Sequence, residues 1–371
     1  MEKKRLDFIQ VLRGLAALIV VMGHHAWLVP DGYRGPIFKS FAQNAIFGVE
    51  IFFIISGFII VHSTQKKAKE EGALTFLIKR IIRIYPIYFI VFTYWIIFCA
   101  FDNNIRNTEG IYSTASIIKS YLFIFLDPSA SSPYYGWGTL VVTWSLIYEF
   151  YFYLCFALAM AINHKYRAYI AIFLLTAFSL AVATFTGNSL TNAMSFSFHS
   201  DLYVNYLLTI GNPIIYDFVF GMTIAILYAN GFFHKISNKF TTNIALIILT
   251  FSVLLAFKGY RIGLGLHYAS PIALSIILCA FICDEYFKPN YSKFLIALGG
   301  ASYSLYLIHI PIQKTLVIYG KDTGFIPQGG DILLPIFSFI LSIVASFVVF
   351  KLVEDPINKW GHKLAYKFNR K

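Results

Sequence analysis

Apolar runs of about twenty residues recur along the whole 371-residue chain, and each is long enough to cross a hydrocarbon core as a helix. A spanning segment must satisfy its own backbone, so runs of this length dictate a helical bundle. They fall at residues 8–28, 44–63, 84–101, 139–162, 168–186, 207–229, 244–257, 269–285, 294–319 and 332–353. A shorter apolar piece at 116–126 reads as re-entrant or peripheral. The expected fold is all-α: a polytopic membrane bundle of about ten transmembrane helices.

The first run is longer than the core of a cleavable signal, and no small-residue cleavage site follows GHHAWLVP, so it reads as a span. No repeat, low-complexity tract or linker interrupts the pattern, and the tail after the last run is short. Residues 1–371 therefore read as one integral membrane domain, with its chemistry inside or at the edge of the bundle. The net charge of +12 does not call for a nucleic-acid partner. With the N-terminus in the cytoplasm, about 20 Lys and Arg fall on cytoplasmic segments and about seven on external ones. An even number of spans then puts the C-terminus inside too. Cys99, Cys155, Cys279 and Cys283 all lie in apolar runs, where packing is a commoner role than a disulfide or a metal. There is no HExxH, CxxC or P-loop pattern, and no metal is expected.

Ionisable side chains within spans are costly, and so they mark candidate sites. In RGLAALIVVMGHH, Arg13 and His24 are eleven residues apart, which puts them within about 20° on a helix and about 16 Å apart along it. One face then carries an anion-binding group and a titratable base; alternatively, each side chain reaches for its own headgroup layer. His25 adds a second imidazole. In KRIIRIYP, Arg80 and Arg83 are neighbours on a helix face, just before the third span. They suit a phosphate or pyrophosphate, or they serve topology alone. TWSLIYEFYFY buries Glu149 one turn after Ser145, and a carboxylate there needs a partner or a proton. SYSLYLIHIPI aligns Ser302, Tyr306 and His309 on one face, before a Pro311 that can kink the span beside a cavity. His309 could equally be an interhelical hydrogen bonder. Glu50 lies in VEIFFIISGFII, where Ser56 and Gly57 read as packing residues. Asp217 and Lys314 are weaker candidates.

These segments, in this order and together with the closing LVEDPI, resemble acyltransferase family 3, the integral membrane acyltransferases that modify sugars. The likeness spans nearly the whole chain, and IQVLRGLAAL with WSLIYEFYFY looks most like the exopolysaccharide O-acetyltransferase branch. It implies transfer of an acetyl group from cytoplasmic acetyl-CoA to a sugar hydroxyl of an exopolysaccharide, lipopolysaccharide or lipid-linked precursor. It also implies the bacterial inner membrane. By residue, His24 matches the catalytic histidine, and Arg13, Arg80 and Arg83 match positions tied to the acyl-CoA. Glu149, His309, Tyr303 and Tyr306 match further polar positions of the core. On that reading His24 is the base or carries the acetyl group in a two-step route, Glu149 orients its ring, His309 or a tyrosine stabilises the oxyanion, and Ser145 and Glu50 support them. Glu50 stands where relatives often carry Asp, and the SGNH-type domain of some relatives is not expected here. Buried charges and ten spans also suit a transporter or exporter of sugar lipids, although no inverted repeat is visible. Transfer of another acyl group, such as succinyl, is a further alternative. No oligomeric state can be read.

Overall fold

A computed structural model describes residues 6–65, 71–101, 112–198, 203–261, 263–319 and 332–368. The basic start MEKKR, residues 66–70 of the second basic stretch and the last three residues of the basic tail lie outside them; they carry part of the charge bias used for orientation.

The regular structure of the described residues is helical, with no strand. The long helices are α1 (Asp7–His25), α2 (Phe47–Gln65) and α3 (Ala73–Phe101). A short α4 (Thr114–Tyr121) precedes α5 (Thr143–Ile162), α6 (Arg167–Thr186) and α7 (Tyr216–Ala229). Next come α8 (Lys239–Phe257), α9 (Ser270–Phe287), α10 (Lys293–Gly300) and α11 (Ser302–Tyr319). The last are α12 (Leu333–Val349) and α13 (Asp355–Phe368), joined by a π turn at Phe350–Glu354. Nine stretches among the described residues are long and apolar enough to cross a membrane, or ten if the bent pair α10–α11 counts as one.

Three local features of the spans differ from the sequence reading. The third span begins at Ala73 rather than 84, so Arg80 and Arg83 sit inside a continuous helix and not ahead of one. The seventh begins at Lys239, which gives that short run a full 19 residues. The ninth bends by 70°, but at Ala301 and not at Pro311, which lies within α11. The 116–126 piece is a single eight-residue helix, capped by Ser113 and followed by irregular chain.

Between helices in lipid there is little hydrophobic force, so close approach depends on small residues and polar bonds. Two glycine crossings fix the frame. A Cβ at Gly57 would lie 2.2 Å from the Phe218 carbonyl oxygen, and one at Gly221 would lie 1.9 Å from that of Ile54. The backbones of α2 and α7 thus touch. A Cβ at Gly299 would lie 1.9 Å from the Gln10 carbonyl oxygen, which seats α10 against the start of α1. The bend after α10 then turns α11 so that it passes beside both Arg13 and His24.

Candidate active site

The helix α1 carries Arg13 near one end and His24 at the other, with α11 alongside. Around Arg13 is a partly open cavity between α1, α2, α3, α5 and α11. Its polar lining comprises Arg13, Arg80, Arg83, Glu149, Ser56, Ser145, Tyr153, Ser302, Tyr303 and Tyr306; Phe52, Phe53, Ile55 and Ile59 supply an apolar wall. A second, more polar cavity adjoins it, lined by Ser63, Glu71, Lys79, Asn358 and again Arg80 and Arg83. The two arginines therefore stand where the cavities meet.

Each charged group has a distinct setting. The Arg80 guanidinium donates to Ser63 Oγ at 3.0 Å and lies over the rings of Phe76 and Tyr153, 5.2 and 5.6 Å from their centroids. Among the described residues the Arg83 side chain has no hydrogen bond or ion pair. Arg13 makes only a long 3.4 Å bond to Gln10. Three guanidinium groups thus face one cavity with few protein partners, which is the arrangement that anionic oxygens fill. The start of α11, at Ser302 and Tyr303, adds the positive end of a helix dipole.

Glu149 does not touch His24, contrary to the sequence expectation. Its carboxylate accepts from Ser56 Oγ at 2.8 Å and from the Tyr153 hydroxyl, inside the arginine cavity. Ser56, read as a packing residue, is thus a polar member of the cavity. Tyr303 donates to the Ile84 carbonyl at 2.8 Å, and Tyr306 pairs with Ser145 at 2.6 Å.

The partner of His24 is His309, with Nδ1 of the first 2.7 Å from Nε2 of the second. The planes are 14° apart and the centroids 5.0 Å apart, so the rings meet edge to edge. His25 is engaged elsewhere, through Nδ1 to the Val21 carbonyl at 2.8 Å and through Nε2 to Ser338 Oγ at 2.9 Å. The histidine pair does not line the arginine cavity. Tyr306, which does, stands between them, with its ring 6.1 Å from that of His309.

Glu50 also falls outside the cavity. It is fully buried, accepts from Gly265 N at 2.5 Å and from Ser270 Oγ at 3.1 Å, and so ties the 263–270 segment to α2. Asp217 is buried as well. Lys314 Nζ sits 4.5 Å from the centroid of the Trp27 ring. Cys99, Cys155 and Cys279 are buried and Cys283 is half-buried, and none of the four forms a disulfide among the described residues.

Three residues went unread in the sequence. Tyr153 lies one turn beyond Glu149, a spacing that could have flagged it. Gln313 lies one turn beyond His309 and donates to the His24 carbonyl at 2.7 Å. Glu354 ends the π turn, accepts from Ser304 Oγ at 2.5 Å, and lies within electrostatic range of Arg13 and Arg83. Only the extra residue of a π turn brings it there, and local sequence does not announce one.

The chain is similar in sequence to several known proteins. Nodulation protein 10 of Rhizobium leguminosarum bv. viciae is 25% identical over 329 residues, covering 82% of this chain and 83% of its own. The peptidoglycan O-acetyltransferase OatA of Listeria monocytogenes is 25% identical over 395 residues, covering 97% of this chain. A putative O-acetyltransferase of Staphylococcus aureus strain COL is 22% identical, covering 97%. The chain spans only 57% and 59% of the last two proteins' lengths. No solved structure matches. The profile of the acyltransferase domain matches residues 6–351, nearly the whole bundle, and the chain belongs to that family of integral membrane acyltransferases.

Proposed function

We propose that the protein moves an acetyl group from acetyl-CoA to a hydroxyl of a sugar polymer or its lipid-linked precursor, across the bacterial inner membrane, with the arginine end of the bundle facing the cytoplasm. The observation that carries this reading is the junction of the two cavities at Arg80 and Arg83, with the inner one ending at Tyr306 beside the His309–His24 pair. The polar outer cavity suits the nucleotide and phosphates of the donor. The apolar-walled inner one suits the pantetheine arm.

The thioester reaches His24 when the Tyr306 side chain swings off Ser145. His24 takes the proton as the acceptor oxygen attacks the thioester carbonyl. The carbon–sulfur bond breaks, and the proton passes to the departing thiolate. Cation and dipole at the cavity hold the donor, so binding is strongest at the phosphates, away from the reacting bond. The listerial relative's peptidoglycan acceptor supports a polymeric sugar acceptor here.

The test is transfer of radiolabel from acetyl-CoA into polysaccharide in membranes carrying the protein, with succinyl-CoA run in parallel. We expect label from acetyl-CoA, lost in His24→Ala at an unchanged protein level. Label transfer by His24→Ala at the wild-type rate removes His24 from the reaction.

A further inference from the structure

Three residues on α11, each four apart, build one arrangement at His24: His309 and Gln313 contact it, and the Leu305 carbonyl contacts His309. Residues at this spacing lie on one helix face. We infer that this face fixes the proton arrangement of His24, with His309 as a positioning residue that holds the hydrogen on His24 Nδ1 and leaves Nε2 free to act as the base. The inference rests on the reading of His24 as the base.

A backbone carbonyl can only accept a hydrogen bond. The Leu305 carbonyl lies 3.2 Å from His309 Nδ1, so that nitrogen carries a hydrogen. A neutral imidazole has one N–H, and His309 Nε2 therefore offers a lone pair. Across 2.7 Å, His24 Nδ1 must supply the hydrogen, because two facing lone pairs would repel. The near-coplanar, edge-to-edge rings aim that N–H along the plane of both. The hydrogen of neutral His24 is then committed to Nδ1, and Nε2 is its open nitrogen.

Two further contacts hold the ring in place. The His24 carbonyl belongs to the last turn of α1, where backbone acceptors lack helical partners, and the Gln313 amide donates to it. The next residue, His25, is held through both ring nitrogens by Val21 and Ser338, so it competes for neither role. His309 is fully buried with both nitrogens engaged, which leaves it no contact with substrate. It does for His24 what the third member of a catalytic triad does for its histidine: it sets the tautomer and holds the N–H that remains when the imidazolium forms.

The experiment compares His309→Phe, which keeps a ring but removes the acceptor, with His309→Gln, whose side-chain oxygen reaches the place of Nε2. Nitrogen-15 NMR of histidine-labelled protein in lipid nanodiscs reads the tautomer directly. We expect the His24 hydrogen on Nδ1 in wild type and His309→Gln, and a loss of that preference in His309→Phe. We expect kcat to fall about 100-fold in His309→Phe at a KM for acetyl-CoA within about twofold, and to recover to within about tenfold in His309→Gln. A hydrogen on Nε2 of His24 in the wild type overturns the inference, even where His309→Phe fails to accumulate. So does a near-wild-type kcat in His309→Phe beside an inactive His24→Ala. Full activity in His24→Ala instead overturns the assignment of the base itself.

Discussion

The hydroxyls of Ser145 and Tyr306 lie 2.6 Å apart at the inner end of the arginine cavity and tie α5 to α11. The bond is lopsided, because Ser145 also reaches the Val142 carbonyl at 3.1 Å, whereas Tyr306 reaches it only at a long 3.5 Å. Tyr306→Phe leaves Ser145 satisfied and should cost about 1 kcal/mol of stability. Ser145→Ala leaves the buried phenol only its long contact to the Val142 carbonyl and should cost about 2 kcal/mol, part of which returns in the double variant. Thermal unfolding in detergent checks the order of the three; equal losses in the single variants would contradict it.

Arg80 and Arg83 should separate by experiment although they neighbour each other. Each change to Ala should raise the KM for acetyl-CoA by about tenfold or more, and the effect should shrink at high salt. Only Arg80→Ala should also lower the melting temperature, since Arg80 bonds Ser63 and packs on Phe76 and Tyr153. Arg80→Lys should not restore it, because an ammonium cannot stack as a planar guanidinium does. A KM unchanged in both Ala variants counts against a donor role for the pair.

Glu149 offers a direct contest between sequence and geometry. If it oriented His24, Glu149→Gln would collapse kcat. Its bonds to Ser56 and Tyr153 place it instead with the arginines. The expected outcome is a kcat within about threefold of wild type and a KM for acetyl-CoA raised several-fold, as Tyr153 loosens beneath Arg80. Steady-state kinetics decide between the two.

The glycine crossings make a prediction about folding alone. Gly221→Ala and Gly299→Ala each drive a methyl into a backbone oxygen, which cannot move like a flexible side chain. Each should cost about 3 kcal/mol or more and sharply reduce folded protein. Gly32→Ala, with open space around its Cβ, is the control and should behave as wild type. Fluorescence-detected size exclusion measures all three.

Much of this protein was determined by its sequence. Span length follows from bilayer thickness, and nearly every apolar run became a helix, because each span must close its own hydrogen bonds. The spacing of Arg13 and His24 put both on the α11 side of α1, since helical periodicity is local. The motif order carried the family. What tertiary structure decided is who meets whom. His24 and His309 are 285 residues apart, and Glu149 found Ser56 across 93 residues rather than a histidine. Tyr306 stands between the cavity and the histidines because α10 and α11 break at Ala301, and Glu354 turns inward through a π turn. Polar pairing between helices depends on crossing points and rotations set by glycines such as Gly221 and Gly299, and one residue of rotation exchanges one partner for another. Periodicity tells which face a side chain lies on; only packing tells what lies opposite.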